Sequence, residues 1–446
     1  MAKTLFLEIE HDLEWALASV GPAYIAACLK QKGHNTALLR VPAKIEIQQL
    51  LAQIANHSPD LIGVSLTSRQ WLRAAWLIPI VKQNFEVPII AGGLHATFSS
   101  DLVLSTPGFD YVCIGEGERA MLELVEALEQ GRSTKGIKNI RTKGEPIPEL
   151  HSPFDSLDDL PFMVRDMLDE KHGVVHISTQ RGCPFPCTYC AAPTIADLYE
   201  GGFSTYGRRR SPGNVIAELV EIQQNDKLNY VVFLDDTFTI NHKWVKEFCD
   251  LYSEYFRVPF SINARAETIN QELLKILGNA GCMHIIYGVE SGSERVRRDI
   301  LKRKISNDKL KQVFQWTRDA GILVTANYML GIPGEQKEDI EQTLTLHDQI
   351  QPDDFGYFVF YPYPGTPLFE ECKEKGFLPE NHYDLPANHR CSILTLPNLT
   401  KNEIAMYYDK FTQRRIQDHL KNIPATADAI YREQTIIQMQ EAAARG

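Results

Sequence analysis

Short apolar runs alternate with amphipathic stretches along most of this chain, and that alternation constrains the fold more than any other feature. Residues 5–8, 36–39, 61–65, 87–90 and 111–114 read as strands, with helical stretches at 24–31, 47–54, 71–83 and 120–130. Further on, residues 174–179, 230–234, 260–264, 284–289, 324–330 and 355–361 read as strands, with helices at 215–224, 243–255, 271–277, 309–318 and 337–349. Each strand candidate is short and rich in β-branched or aromatic residues. Strands and helices in strict alternation imply parallel, right-handed wound sheets. The first set predicts a five-stranded, doubly wound α/β sheet whose ligand crevice lies beyond the strand C-termini. The second set has too few strands to close an eight-stranded barrel. It predicts an open (β/α)6 partial TIM barrel with its active end at the strand C-termini. The expected bounds are a first domain at 1–135, a Pro-, Asp- and Ser-rich linker at 136–170, the partial barrel at 171–370 and a mostly helical C-terminal segment at 371–446.

A cysteine triplet follows the first barrel strand directly. Arg181-Gly182-Cys183-Pro184-Phe185-Pro186-Cys187-Thr188-Tyr189-Cys190 is a C-x3-C-x2-C loop. Three thiolates this close suit three irons of a cubane cluster, and no fourth Cys lies nearby. One iron is then left for a ligand that is not protein, which is the mark of a metal centre that does chemistry. Zinc is the rival metal, but its sites usually pair a C-x2-C with a second pair elsewhere, and the chain has none. Inert core thiols are the third reading. Pro184 and Pro186 oppose it, because they block helix and ladder hydrogen bonding and make the segment an irregular loop.

Composition excludes other classes. With 446 residues, 44% of them hydrophobic, the chain can bury two cores. A net charge of −11 and the lack of a long Lys/Arg stripe argue against a nucleic-acid binder. Arg208-Arg209-Arg210, the densest basic run, is expected in a solvated loop rather than an anion site. No stretch of about 18 apolar residues occurs, so no membrane span is expected. The first residues are too charged for a signal peptide. Cys28, Cys113, Cys249, Cys282, Cys372 and Cys391 are scattered without a disulfide framework, which points to a cytoplasmic location.

Three turns at successive strand ends of the first domain are candidates for a ligand floor. They read Ser65-Leu66-Thr67-Ser68, Ala91-Gly92-Gly93-Leu94-His95 and Gly115-Glu116-Gly117-Glu118. Glycines and small hydroxyl residues there let a ligand approach the backbone. The candidates are Ser65, Thr67, Gly92, Gly93, His95, Gly115, Glu116 and Gly117.

With an aromatic residue, Tyr189, just before its last Cys, the loop resembles the signature of radical S-adenosylmethionine (SAM) enzymes. The resemblance implies a 4Fe–4S cluster on Cys183, Cys187 and Cys190, whose open iron chelates SAM and whose reduction yields a 5′-deoxyadenosyl radical. A flavodoxin-like N-terminal domain preceding such a core is similar to the cobalamin-binding radical SAM enzymes. Matching residues include Gly21-Pro22-Ala23-Tyr24, Gly92-Gly93-Leu94-His95, Gly115-Glu116-Gly117-Glu118 and Leu160-Pro161. Cobalamin as the crevice ligand comes from this resemblance alone. By position it also implies SAM contacts at Tyr189, Asp235, Asp236, Arg265, Glu290, Ser291, Ile332 and Gly334. Helix capping is the competing explanation for Asp235, Asp236 and Glu290. The D-x-H-x-x-G motif of many cobalamin proteins is missing after the first strand, where the chain reads Glu8-Ile9-Glu10-His11-Asp12-Leu13. His11 is therefore expected as a surface or capping residue rather than a cobalt ligand.

The implied activity is a cobalamin-dependent methyltransferase moving a methyl group from SAM, via methylcobalamin, to an unactivated carbon of a small molecule or peptide. A flavodoxin or ferredoxin would donate electrons. A non-methylating cyclase or rearrangement enzyme of the same layout is the alternative. More distant readings are a radical SAM enzyme whose first domain is only a docking module, and an electron-transfer protein.

Overall fold

The computed structural model describes residues 1–9, 19–168 and 170–422. His11 lies outside them. The chain divides into two compact units. One comprises Met1–Pro184, Ala191–Asn214 and Tyr383–Pro386; the other comprises Phe185–Cys190, Val215–His382 and the residues from Ala387 onward.

The first unit is built on a six-stranded sheet of β1 (Lys3–Ile9), β2 (Asn35–Val41), β3 (Leu61–Ser65), β4 (Ile89–Gly92), β5 (Tyr111–Cys113) and β6 (Ile140–Thr142). The spatial order is β2-β1-β3-β4-β5-β6, and only β6 runs antiparallel to its neighbour. The order of the first five strands is the flavodoxin-like one, which reverses between β1 and β3 and opens a crevice at their C-terminal ends. The sequence reading has five strands here. The sixth, only three residues long, lies within the tract expected as linker, where so short a run carries no periodic signal. The interior strand β1 is buried on both faces, as a near-continuous apolar run in a parallel sheet should be. Its side chains still alternate. Leu5, Leu7 and Ile9 join the core with Trp71 and Ile78, whereas Phe6 joins the other core with Ala23, Leu124 and Leu157.

In the second unit the parallel strands are β10 (Tyr230–Phe233), β11 (Phe260–Ala264), β12 (Cys282–Glu290), β13 (Leu323–Leu330) and β14 (Asp354–Val359), adjacent in chain order. The remaining predicted barrel strand, β7 (Val174–Ile177), is also formed. The two-residue strands β8 (Gln180–Arg181) and β9 (Arg208–Arg209) make a small antiparallel ribbon in the first unit. Burial distinguishes the two sheets. Along β12 and β13 buried residues alternate with partly exposed ones. Tyr287, Tyr328 and Leu330 pack under the helices, while Glu290, Asn327 and Met329 stand on the opposite face. A closed barrel fills that face with side chains; here it is left open. Helices start on side-chain caps: Asn241 accepts from Trp244 N, Asn270 from Leu273 N and Ser306 from Lys309 N. The helix Lys401–Asn422 lies within the segment 371–446 expected to be mostly helical, of which residues 423–446 lie outside those described.

The basic run at 208–210 is not a solvated loop. Arg208 and Arg210 are buried. Arg208 pairs with Glu116, and Arg210 donates to Asn214 Oδ1 at 2.6 Å and to the Ser178 carbonyl at 3.2 Å. Charges spaced along a strand are indistinguishable from a surface run until the acceptors are located.

Candidate functional site

A cavity of about 290 Å³ opens at the strand ends of the first sheet. Its walls include Tyr24 and Ile25 of the helix Val20–Gln31, Val64 and Ser65 of β3, Gly92 at the end of β4 and Gly93 after it, and Gly115, Glu116 and Gly117 after β5. Six of the eight predicted crevice residues therefore meet here. The glycines act in different ways. A Cβ on Gly92 would meet only Cys113 Cβ, at 3.8 Å, so a larger side chain would grow into open cavity. Gly93 has φ +87° and a Cβ there would strike Leu66 O at 2.7 Å; Gly115 has φ +75° and would strike Tyr199 Oη at 2.5 Å. Those two are demanded by the backbone itself.

Thr67 and His95 are not on the cavity wall. Thr67 N and Oγ1 both donate to Gln70 Oε1, at 2.9 and 3.1 Å, which closes the turn. His95 is buried, stacks on Trp71 with centroids 4.7 Å apart, and has Nδ1 3.1 Å from Ser68 Oγ. Burial lowers its pKa to about 4, so the ring is neutral. Glu116 is already engaged. Arg181 donates to it at 2.8 Å and Arg208 also pairs with it. Burial pushes its carboxyl up, but the two guanidinium groups outweigh this and hold it below the usual range. Arg181 also pairs with Glu118 at 2.5 Å, and its guanidinium lies 5.2 Å from the Tyr24 ring centre. Sequence reasoning missed this buried network. Arg181, two residues before Cys183, carries no motif of its own.

In the second unit, the loop Phe185–Cys190 is pinned by Thr188. Its Oγ1 donates to the Ile300 carbonyl at 2.7 Å, and its carbonyl accepts from Leu368 N at 2.9 Å. Cys183 and Cys187 are buried and Cys190 is half-buried; none of the nine cysteines forms a disulfide. Arg265 Nη1 donates to Cys187 Sγ at 2.8 Å, and the guanidinium lies over the Phe185 ring at 3.9 Å. Arg265 Nη2 also binds Glu267 at 2.5 Å. Tyr189 Oη donates to Glu290 Oε1 at 2.9 Å, which also accepts from Arg303 Nη1 at 2.8 Å. Glu290 has φ +67°, a strained conformation for a carboxylate residue. Burial raises its pKa and Arg303 opposes the rise.

Other predicted positions serve the scaffold. Ser291 is fully buried, its Oγ accepting from Ser293 N at 3.2 Å. The amides of Gly331 and Ile332 both donate to Glu335 Oε2, at 2.7 and 3.2 Å, which occupies the amide of Ile332, a predicted SAM contact. Gly334 has φ +80° and its carbonyl accepts from Arg295. Asp235 is buried at the end of β10, beside the exposed Asp236. Arg303 and Glu267 are the residues missed here. Glu267 lies three residues beyond the end of β11, and Arg303 follows the short helix Val296–Ile300 beyond β12, where the pattern does not show which side chains turn inward.

These residues fit the implied cofactors. Arg265 Nε and Arg303 Nε are buried without a partner among the described residues. Buried donors of this kind require an acceptor, and an anionic ligand such as a carboxylate supplies one. Among the described residues no three His, Cys, Asp or Glu groups are placed to hold a single metal ion. Three thiolates on three separate irons need not converge in that way. The first unit offers an apolar, glycine-floored cavity at a switch point, which suits a large planar ligand.

Residues 13–125 match the model of the B12 binding domain, and residues 177–347 that of the radical SAM superfamily. An uncharacterized methyltransferase of Pyrococcus horikoshii is 27% identical over 366 residues, 79% of this chain and 77% of that protein. The anaerobic magnesium-protoporphyrin IX monomethyl ester cyclase of Rubrivivax gelatinosus is 26% identical over 79% of this chain and 66% of its own. The cytidylyl-2-hydroxyethylphosphonate methyltransferase of Streptomyces wedmorensis is 23% identical, covering 92% and 88%. In structure, the chain is similar in fold to TsrM from Kitasatospora setae, solved with cobalamin and a 4Fe–4S cluster (TM-score 0.73, 15% identity, 100% of both chains). It is also similar in fold to OxsB, solved with aqua-cobalamin (TM-score 0.76, 14% identity, 100% of this chain and 71% of that one). With a B12-binding match followed by a radical SAM match on one polypeptide, the chain belongs to the cobalamin-binding radical SAM enzymes.

Proposed function

We propose that the protein is a methyltransferase that moves a methyl group from SAM, by way of cobalamin, to an unactivated carbon of a small-molecule or peptide substrate. When bound, the cluster and SAM supply hydrogen-atom abstraction and cobalamin supplies a transferable methyl group. The observation that carries the reading is the pairing of a glycine-floored cavity in a B12-binding unit with a three-cysteine loop tied to a buried Arg–Glu–Tyr cluster. Cys183, Cys187 and Cys190 would hold the cluster. Glu290 and Tyr189 would meet SAM's amine and hydroxyl groups, and the buried guanidinium groups of Arg265 and Arg303 its carboxylate. Ser65, Gly92 and Gly117 would floor the corrin. Arg265 anchors Cys187 through its sulfur and keeps a positive charge beside the loop.

Relatives named as methyltransferases support the transfer reading. The relatives named as cyclases support the alternative, a non-methylating member of the same layout. A flavodoxin or ferredoxin is the proposed electron donor, and the proposed setting is the cytoplasm. Among the described residues no helix is long and apolar enough to cross a membrane. The test is anaerobic turnover of the reconstituted protein with SAM, cobalamin, reductant and candidate substrates. 5′-Deoxyadenosine, S-adenosylhomocysteine and a methylated product are expected. A product without an added methyl ends the methyltransferase assignment.

A further inference from the structure

The second unit holds a cavity of about 180 Å³ on the open face of its sheet. Aromatic side chains dominate its wall, with Phe358, Tyr361 and Tyr363 beside Met329, Asn327 and His389, and Tyr189 and Glu290 of the cluster described above also line it. Phe358 is 42% exposed although it lies within a strand, because no side chain fills the lumen in front of it. The rings stand at angles to each other. Tyr361 and Tyr363 meet at 60° with centroids 5.2 Å apart, and Phe358 and His389 at 78° and 6.0 Å. Tilted rings of this kind form a slot.

Besides Glu290 and Tyr189, two polar features face the slot. The Asn327 amide makes no hydrogen bond among the described residues, and a Cβ on neighbouring Gly356 would lie 2.6 Å from its Oδ1. Glycine at 356 therefore leaves the amide its place. The second feature is a pair, Tyr363 Oη to His389 Nε2 at 2.5 Å. His389 has φ +58°, and its carbonyl accepts from Val359 N at 2.7 Å. A non-glycine residue held in the left-handed region by a strand-end hydrogen bond is a strained placement, of the kind that clusters at ligand sites.

We propose that this cavity is a substrate subsite for a planar conjugated ring of one or two fused cycles with a hydrogen-bonding edge, read by Asn327 and the Tyr363–His389 pair. As a substrate site it rests on the methyl-transfer reading. The size suits small rings: a cavity of about 150 Å³ accepts benzene. No Lys or Arg lines the cavity, so a phosphate or carboxylate handle has no counter-charge there. An aliphatic chain would leave the Asn327 amide unanswered.

The test is saturation-transfer NMR on the full, cluster-reconstituted, cobalamin-loaded protein in the presence of SAM, with indole, its carbon analogue indene, and cyclohexylmethanol. Indole should bind most tightly. Asn327→Leu should weaken indole roughly 3- to 10-fold and leave indene unchanged. Met329→Trp, which fills the slot, should abolish both; Met329→Phe gives a milder version of the same result if the larger side chain prevents folding. The proposal is overturned if cyclohexylmethanol binds as well as indole, or if neither substitution changes indole binding. S-adenosylhomocysteine formation is then measured on the same SAM-containing samples after a reductant is added. Ring binding without it overturns methyl transfer and leaves the subsite standing; its formation without ring binding overturns the subsite alone.

Discussion

Tyr189 and Glu290, 101 residues apart, share a 2.9 Å hydrogen bond. The bond ties the residue before the last cysteine of the loop to the end of β12, so the loop's position depends on a buried carboxylate. Arg303, which donates to both Tyr189 at 3.2 Å and Glu290 at 2.8 Å, supplies the counter-charge.

Arg303→Met should therefore be severe. Removing one partner of a buried ion pair leaves the other uncompensated and costs about 3–5 kcal/mol. Glu290 would take up a proton and its hold on Tyr189 would change from charged acceptor to neutral one. Denaturant unfolding of the variant should show this loss. Glu290→Gln keeps the shape and leaves Arg303 its second counter-charge, Glu267 at 3.5 Å, so it should be milder.

Much of this architecture was legible because its strands are short apolar runs rich in β-branched and aromatic residues, alternating with amphipathic helical stretches. The cysteine loop was legible because its spacing is local. What could not be read is what turns inward after each strand. Arg303 follows a short π-helix, Val296–Ile300, whose extra residue per turn shifts all later side chains. His95 sits in a turn that points to a ligand, yet its ring stacks on Trp71 from a helix 24 positions earlier in the chain. Only the packing of distant elements decides such cases.

The neighbouring glycines Gly92 and Gly93 should separate ligand binding from folding. Gly92→Val places its methyl groups in the cavity, so corrin affinity should fall at least about tenfold, or about 1.4 kcal/mol, with little change in stability. Gly93→Val forces a β-branched residue to positive φ against Leu66 O, so it should lose stability outright. Corrin absorption titrations and unfolding midpoints measured on both variants check the contrast.

His95 should make the protein acid-sensitive. Its folded pKa, about 4, lies below the ordinary 6.5, so the folded state favours the neutral ring. Stability from this group is full above pH 6.5 and falls on acidification towards pH 4, by about 1.4 kcal/mol per unit at most. His95→Phe keeps the stack on Trp71 and cannot be protonated. The difference in unfolding free energy between the two proteins should shrink across that window in favour of the variant.

Glu335 works in the opposite direction. Its carboxyl is 1% exposed, and burial pushes its pKa up from 4.5 to about 8, even though Gly331 N and Ile332 N donate to Oε2. Oε1 is buried without a partner, as suits the protonated oxygen of a neutral acid. Between pH 4.5 and 8 the unfolded chain has lost this proton and the folded chain keeps it, so stability falls as pH rises, by about 1.4 kcal/mol per unit at most. Above pH 8 both states are ionised and the slope ends. Glu335→Gln retains a carbonyl for the two amides and carries no charge. Unfolding free energies measured from pH 5 to 8 should decline for the parent and stay flatter for the variant, which should be the more stable of the two at pH 8. Parallel profiles would show that Glu335 is ionised when folded, its charge held by the Gly331 and Ile332 amides.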